Sequence, residues 1–538
     1  MEPAVNSETR RRNPITRAII WHYSNTKCSI TATQHEKEKY LFSKVKFNPW
    51  ILMPAAVIVQ FCCGSLYAWS VFNAPIDEAI SGNSKVSQAP VTFYIAVGML
   101  GVASAVMGPY LERNGPKKTL ILSSTLFFCG NALSAIAIYI KNIWLLYVGY
   151  GIIGGFGIGL SYIAPVSSLQ KWFPHKRGVA GGFAVCGFGA GSIVIGKVTL
   201  PLIRMVGLPM TFIVLGTCYY AAMVGSALLF RVPPPNYTVS SSTDAEQKAT
   251  VPLMPQNAEI KLTLKESIMS VDYLFLYIIF LSNTLFGLLI ISRLADMITK
   301  LYSRDPNEAS TIVSINGALN LFGRILFSTV SDKIGRKTSC FIMLAVQTII
   351  IATFPIFLEN RIYWIFLLCM FSTSMCYGGG VGVMPAFLAD LFGTHNIGVC
   401  FGVLITAWSI AGTGGGLLFT AIYNHQIISR GYTTADAFPF IINSYWILTS
   451  VVIGLLCTIL IRTHLKDRIL PPVDGQWFRF RFFKQMLILK RTSACPTIQV
   501  MSSEEYDELW ENYLKTRNVI GKNCEGMVEL ATLSEVNK

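Results

Sequence analysis

Charge is the scarcest ingredient of this 538-residue chain: Asp, Glu, Lys and Arg together make up 14% of it, against about 25% in ordinary soluble proteins. Acids are the rarer sign, 29 against 44 Lys plus Arg. So few charges beside 52% apolar residues cannot coat a water-soluble surface, which excludes an ordinary cytosolic enzyme, a disordered chain and the several soluble domains that length alone suggests. No Walker loop, nucleophile elbow or Cys/His ligand spacing occurs, so no enzyme activity, metal or cofactor is expected. There is no CxxC, and ten of the 13 cysteines fall inside apolar runs, which excludes a disulfide scaffold. The first 48 residues carry Arg10, Arg11, Arg12 and Arg17 without an apolar stretch, so they are not a secretory signal; an organellar targeting role stays open.

What the chain does have is long uncharged runs. A hydrocarbon core needs about 20 apolar residues of helix, and 49–72 is the first such run. Further spans are predicted at 90–110, 119–140, 143–168, 178–201, 208–230, 273–297, 310–331, 338–358, 362–388, 398–422 and 440–461. In lipid, backbone groups find partners only within helices or closed barrels, and these runs lack the alternation of barrel strands. The expected fold is therefore all-α integral membrane, with about twelve transmembrane helices. A linker rich in Pro, Ser and charge separates six spans from six. The expected organisation is an arm (1–48), a six-helix bundle (49–230), a linker (231–270), a second bundle (271–462) and a tail (463–538).

With an even number of spans both ends share one side, and that side carries about 34 of the 44 Lys and Arg residues. Both termini are expected in the cytoplasm, of a plasma membrane or an organellar one. The basic excess is thus topological and calls for no nucleic-acid partner. The only sequon, Asn236-Tyr237-Thr238, falls in the cytoplasmic linker and should carry no glycan.

The halves repeat at an offset of 220 residues. Gly108–Lys118 (GPYLERNGPKK) aligns with Ser328–Thr338 (STVSDKIGRKT), matching Glu112 with Asp332, Gly115 with Gly335 and Lys117 with Lys337; Pro165 pairs with Pro385 and Gly178 with Gly398. An acid ending one helix, a turn glycine and then cations suit a cytoplasmic gate. Glu112, Arg113, Lys117, Asp332, Arg336 and Lys337 are its candidates. For the cations, simple topological bias is an equal reading.

These loops resemble the signature of the major facilitator superfamily. Local strings resemble its oxalate:formate antiporter family, relatives of the monocarboxylate carriers: GSLYAWSVF from Gly64, GLSYIAPVSSLQKWFPHKRGVAGG from Gly159, NGALNLFGRILFSTVSDKIGR from Asn316, YGGG from Tyr377 and FGVLITAWSIAG from Phe401. The likeness spans about residues 48–462. It implies a transporter of two parallel six-helix bundles working by alternating access, with a small organic anion as substrate and the bilayer as its surroundings, expected as a monomer.

An ionisable residue at bilayer depth is costly and so marks function. Arg324 lies eight residues, about 12 Å, from Asp332, and Asn316 and Asn320 share its helix face. Its repeat partner is Ser104, so the cationic half-site belongs to one bundle. A guanidinium forks onto a carboxylate, and the resemblance implies that this arginine binds the substrate carboxylate. Gln60, Tyr67, Tyr162, Tyr377 and Trp408 are candidates for walls and uncharged donors, each with a packing role as the competing reading. Two departures narrow the substrate. Residues 398–422 lack the lysine that the oxalate carrier places beside its arginine, which favours a monoanion. Asn320 stands where animal monocarboxylate carriers have a proton-handling Asp, which favours exchange or uniport.

Remaining features are assigned more blandly. Trp69 is expected in the interfacial belt, Arg293 and Asp296 as a pair near the outer end of helix 7, and the glycine clusters of helices 4, 5 and 11 as close-packing surfaces. The tail segment Gln476–Arg491 is expected either as a helix on the inner leaflet or as chain without fixed structure. A proton-linked symporter and a non-transporting receptor signalling through its tail are the alternative functions; deleting 463–538 separates the last from a carrier.

Overall fold

The computed structural model describes residues 19, 21–24, 40–42, 45–82, 88–234, 264–433, 435–463, 467–468, 470, 476–482, 485–491, 496–502 and 504–513. Most of the arm and of the linker, including the Asn236 sequon, lies outside them. Apolar runs without internal water partners become helices: α1 (Pro49–Ser81), α2 (89–114), α3 (116–139), α4 (Ile143–Trp172), α5 (Arg177–Val206) and α6 (Leu208–Ala227) form the first bundle. The second comprises α7 (Val271–Leu301), α8 (Asn307–Ile334), α9 (Arg336–Glu359), α10 (Tyr363–Phe392), α11 (Ile397–Arg430) and α12 (Phe438–Leu460).

Residues 89–139 run almost without interruption, and only Gly115 (φ 78°, ψ 168°) breaks them into α2 and α3. Its repeat partner Gly335 (φ 91°, ψ 150°) turns α8 into α9 in the same way. That region of backbone space is open essentially to glycine alone, which is why both loop motifs carry one.

The start of α1 is set by the Asn48 side chain, which accepts the Trp50 N–H (3.1 Å), with Pro49 in the first turn. Its end differs from the expected edge at 72: the helix continues through Asn73, Asp77 and Glu78 to Ser81. Polarity suggests a loop there, but Asp77 is buried and caps α2, accepting the Gln88 (3.1 Å) and Ala89 (2.9 Å) N–H groups. This extension also corrects Trp69. It sits well inside α1 rather than in an interfacial belt, 1% exposed, donating to Ala89 O (3.1 Å) and packing on Tyr150 at 4.3 Å.

Small residues let these helices approach; a Cβ at Gly187 of α5 would lie 2.1 Å from Val57 O of α1. Segments 147–154 of α4 and 410–415 of α11, both glycine-rich, widen into π-helical turns, as does 297–301 of α7.

The chain divides into two compact units, Met1–Leu455 and Leu456–Lys538. Before α1, β1 (Tyr40–Phe42) pairs antiparallel with β2 (Val45–Lys46). The second unit overturns both expectations for the tail. Gln476–Arg491 is neither helix nor irregular chain: β3 (Gln476–Phe482), β4 (Gln485–Arg491) and β5 (Pro496–Met501) form an antiparallel sheet in that order. The physical reason is the strict alternation Phe478-Arg479-Phe480-Arg481, a two-residue period that only a strand can sort onto two faces. Leu470, Met486, Ile488, Met501 and Tyr506 make its core. Buried Asp467 ties it together: its carboxylate accepts from Tyr506 OH (2.6 Å) and Arg481 Nη2 (3.2 Å), and its carbonyl accepts from Arg479 Nε (2.9 Å). Burial, reinforced by that hydrogen bond, pushes the Tyr506 phenol above its ordinary value.

Gly115→Ala and Gly335→Ala should each destabilise the protein by about 1–3 kcal/mol, seen as a lower thermal midpoint of the purified protein in detergent. Gly225→Ala, where a Cβ meets nothing within 4 Å, should not lower that midpoint.

Candidate functional site

The polar stripe of α8 is buried throughout: Asn316, Asn320 and Arg324 are each 2% exposed or less. Arg324 lies ten residues, about 15 Å, from the end of α8 at Ile334. Its Nε donates to Asn320 Oδ1 (3.1 Å), and Asn320 Nδ2 is itself held by Ser374 O of α10 (3.2 Å). Arg324 Nη1 crosses to the first bundle and donates to Val185 O of α5 (2.7 Å), while the guanidinium stands 5.8 Å from the Phe188 ring centre. A guanidinium has five N–H donors; with two used, three have no hydrogen-bond partner among the described residues.

Arg324 borders a narrow void, too tight in this state to admit a water molecule, together with Tyr67, Leu100, Tyr162, Phe188, Ile405 and Trp408. It is the only charged side chain among the described residues lining it. Phe188 stands edge-on to Tyr67 (4.8 Å) and Tyr162 (5.5 Å), with Trp408 at 6.4 Å. One wall is tied across the bundles: Tyr67 OH of α1 and Tyr377 OH of α10 lie 2.7 Å apart, and Trp408 Nε1 of α11 donates to Tyr377 OH (3.0 Å). Gly287 of α7 makes room for this, since a Cβ there would lie 2.2 Å from the Tyr377 ring.

At the end bearing the loops after α2 and α8, the two acids reach across the molecule. Glu112 of α2 accepts the Gly398 N–H at the start of α11 (2.8 Å) and ion-pairs with Lys171 of α4. Asp332 of α8 accepts the Gly178 (3.0 Å) and Val179 (3.2 Å) N–H groups at the start of α5. The helix dipole favours an acid at each of these N-termini. Because Gly178 and Gly398 are themselves repeat partners, each half's acid caps the other half's helix. The cations do not follow the repeat. Asp332 also accepts from Arg336 (2.5 Å), whose Nε donates to Asp390 (3.0 Å), and Arg177 Nη1 donates to the other oxygen of Asp390 (2.8 Å).

The profile of the Major Facilitator Superfamily matches residues 44–416. The chain belongs to this superfamily. It is 27% identical over 361 residues to an uncharacterised transporter of the superfamily, YhjX of Escherichia coli K12, covering 67% of this chain and 85% of that one. The oxalate:formate antiporter of Oxalobacter formigenes is 24% identical over 383 residues, covering 70% and 85%. Rat monocarboxylate transporter 9 is 31% identical over 169 residues, covering 31% and 32%. The proton:xylose symporter XylE shares the fold, with a TM-score of 0.58 at 16% identity over 76% of this chain and 94% of that one. The chain is a multi-pass membrane transporter related to the oxalate:formate antiporter.

Within this major facilitator, the candidate residues divide. Arg324, Tyr67, Tyr162 and Trp408 line the void, and Asn320 and Tyr377 stand directly behind it. Gln60 does not line it; its Nε2 donates to Tyr162 O (3.0 Å) and clasps α1 to α4. Glu112, Asp332 and Arg336 all lie at the closed end, whereas Arg113 turns to the arm, donating to His22 Nδ1 (3.0 Å) and standing 5.0 Å from the Trp21 ring. Lys117 and Lys337 sit in the first turns of α3 and α9. Arg293 and Asp296 come within 3.7 Å, but Arg293 is held chiefly by Thr420 Oγ1 of α11 (2.6 Å), inside one bundle. Sequence reasoning missed Phe188, Leu100, Ile405 and the Val185 carbonyl. Phe188 could have been found, because it is the repeat partner of Trp408. A backbone carbonyl leaves no mark in a sequence.

Asp332→Ala strips the cap from two N–H groups. Hydrogen exchange of amides 178–182 should then quicken about tenfold or more, as loss of a charge-assisted bond of about 1.5–3 kcal/mol implies. Asp332→Asn, which keeps one acceptor, should fall between it and the native protein.

Proposed function

We propose that the chain is a secondary-active transporter of small organic monocarboxylates, working by alternating access of its two bundles around Arg324. One observation carries this: a buried arginine with three unspent donors beside an uncharged, aromatic void. A carboxylate is the group whose shape and charge complete that fork. A single cation in the lining favours a monoanion, and Tyr67 and Trp408 offer donors without charge for the rest of a small substrate. The named activities of the oxalate:formate antiporter and the monocarboxylate transporter, both acting on small carboxylates, support the same class.

In the described state the void is too thin for a substrate, and the end holding Glu112 and Asp332 is shut. The bias of Lys and Arg makes that end the cytoplasmic one and puts both termini there. Opening it requires both acids to release the opposite bundle's helix ends. Binding acts on the same interface from the middle. A carboxylate competes with Val185 O for Arg324 Nη1 and with the Tyr67–Tyr377 contact for hydroxyl protons, so occupancy loosens two ties between bundles. Neutral Asn320 beside Arg324 leaves no carboxyl to carry a proton there, which favours exchange or uniport.

Reconstituted in proteoliposomes, the carrier should accumulate labelled monocarboxylate by counterflow. Arg324→Lys should cut uptake at least tenfold at equal protein density, and native-level uptake by that variant would overturn the site. Lumenal pyranine should report no carrier-dependent acidification; one proton per substrate would assign symport instead.

A further inference from the structure

The tail sheet has two unlike faces. Its register sets Phe478 opposite Leu489 and Phe480 opposite Leu487, and on the other side Leu487 opposite Val500 and Leu489 opposite Ile498. Six apolar side chains therefore share one face, by the alternation of strand side chains. The opposite face carries Met486, Ile488 and Met501, and the helical segment 504–513 covers it through Tyr506, Trp510 and Tyr513. On the first face Ile498 and Val500 stay 63% and 54% exposed. A small domain that has buried one face does not leave a second apolar face in water without a partner.

The same unit shows where that face lies. It begins with the last turn of α12, Leu456–Leu460, and Arg462, two residues further on, places its guanidinium 5.3 Å from the Phe478 ring centre. The apolar face is thus anchored one side chain from the point where a membrane-spanning helix leaves the hydrocarbon. Arg462 thus sets a cation at the edge of the face, and Trp477, 74% exposed, lies next to Phe478 in β3. An apolar patch with a cation at its edge and an exposed indole nearby, two residues beyond a membrane-spanning helix, is the chemistry of an interfacial anchor rather than of a protein-binding groove.

We propose that this sheet is a lipid-binding module: Ile498 and Val500 enter the headgroup boundary of the leaflet next to α12, and Arg462 meets anionic headgroups. The occupant of the face is the bilayer, not a second copy or another segment of the chain. The assignment is independent of which substrate the carrier moves.

The test uses the full chain in nanodiscs of phosphatidylserine and phosphatidylcholine, with the photocrosslinker p-benzoylphenylalanine replacing Ile498 or, separately, Val500. Both positions are exposed, and having two guards against one failing to fold. A third variant at Glu508, exposed on the covering helical segment, is the control. Irradiation should give phospholipid adducts at 498 and 500 at least fivefold above the control. Crosslinks to a second copy, crosslinks within the chain, or lipid adducts no higher than at 508 would overturn the proposal.

Discussion

A guanidinium in the middle of a membrane-spanning helix has nowhere to send its charge. Isolated in hydrocarbon it costs about 3 kcal/mol or more, so the surrounding helices must supply acceptors, and their arrangement follows from doing so. Asn320 supplies one and is itself held by the Ser374 carbonyl; Val185 supplies another from the opposite bundle; the Phe188 ring faces the cation. What these leave unspent borders the void. Arg324 thus does two things: it ties the bundles together, and it presents unspent donors to the void, where the proposed anion would bind.

The repeat explains what surrounds this centre and also why the centre breaks it. At the closed end the two halves trade places, Glu112 capping α11 and Asp332 capping α5, so closure is shared between two equivalent contacts. In the middle the halves differ. Ser104, the partner of Arg324, donates to Gly159 O inside its own bundle, and Gly287, the partner of Tyr67, exists to seat Tyr377. The first bundle brings Tyr67, Tyr162 and Phe188, and the second brings the cation and Trp408. The closed end keeps the repeat; the centre departs from it. In the proposed function, one cation rather than two facing each other suits the site to a single carboxylate.

Much of this was legible in the sequence, because bilayer burial writes itself in long runs and charge at depth is rare enough to notice. The spans, the loop motifs and Arg324 come from those two signals alone. The edge of α1 did not, since Asp77 looks like a loop residue until its role as the cap of α2 is seen. Trp69 misled for the same reason, its distance from the helix end being misjudged. Across the bundles, the partners of Glu112 and Asp332 are backbone N–H groups and the partner of Arg324 is a carbonyl; such groups are present at nearly every residue, so only the fold selects them. The tail was misjudged because basic and aromatic composition outweighed its two-residue period.

Direct binding tests the centre of this account more sharply than transport does. Titrating short-chain monocarboxylates into purified protein by calorimetry should give saturable binding to the native chain. In Arg324→Gln that binding should weaken at least about thirtyfold, as loss of a buried charge pair of about 2 kcal/mol or more implies. Equal affinity in the two proteins would contradict the account, because the carboxylate would then be held by something other than the one buried cation.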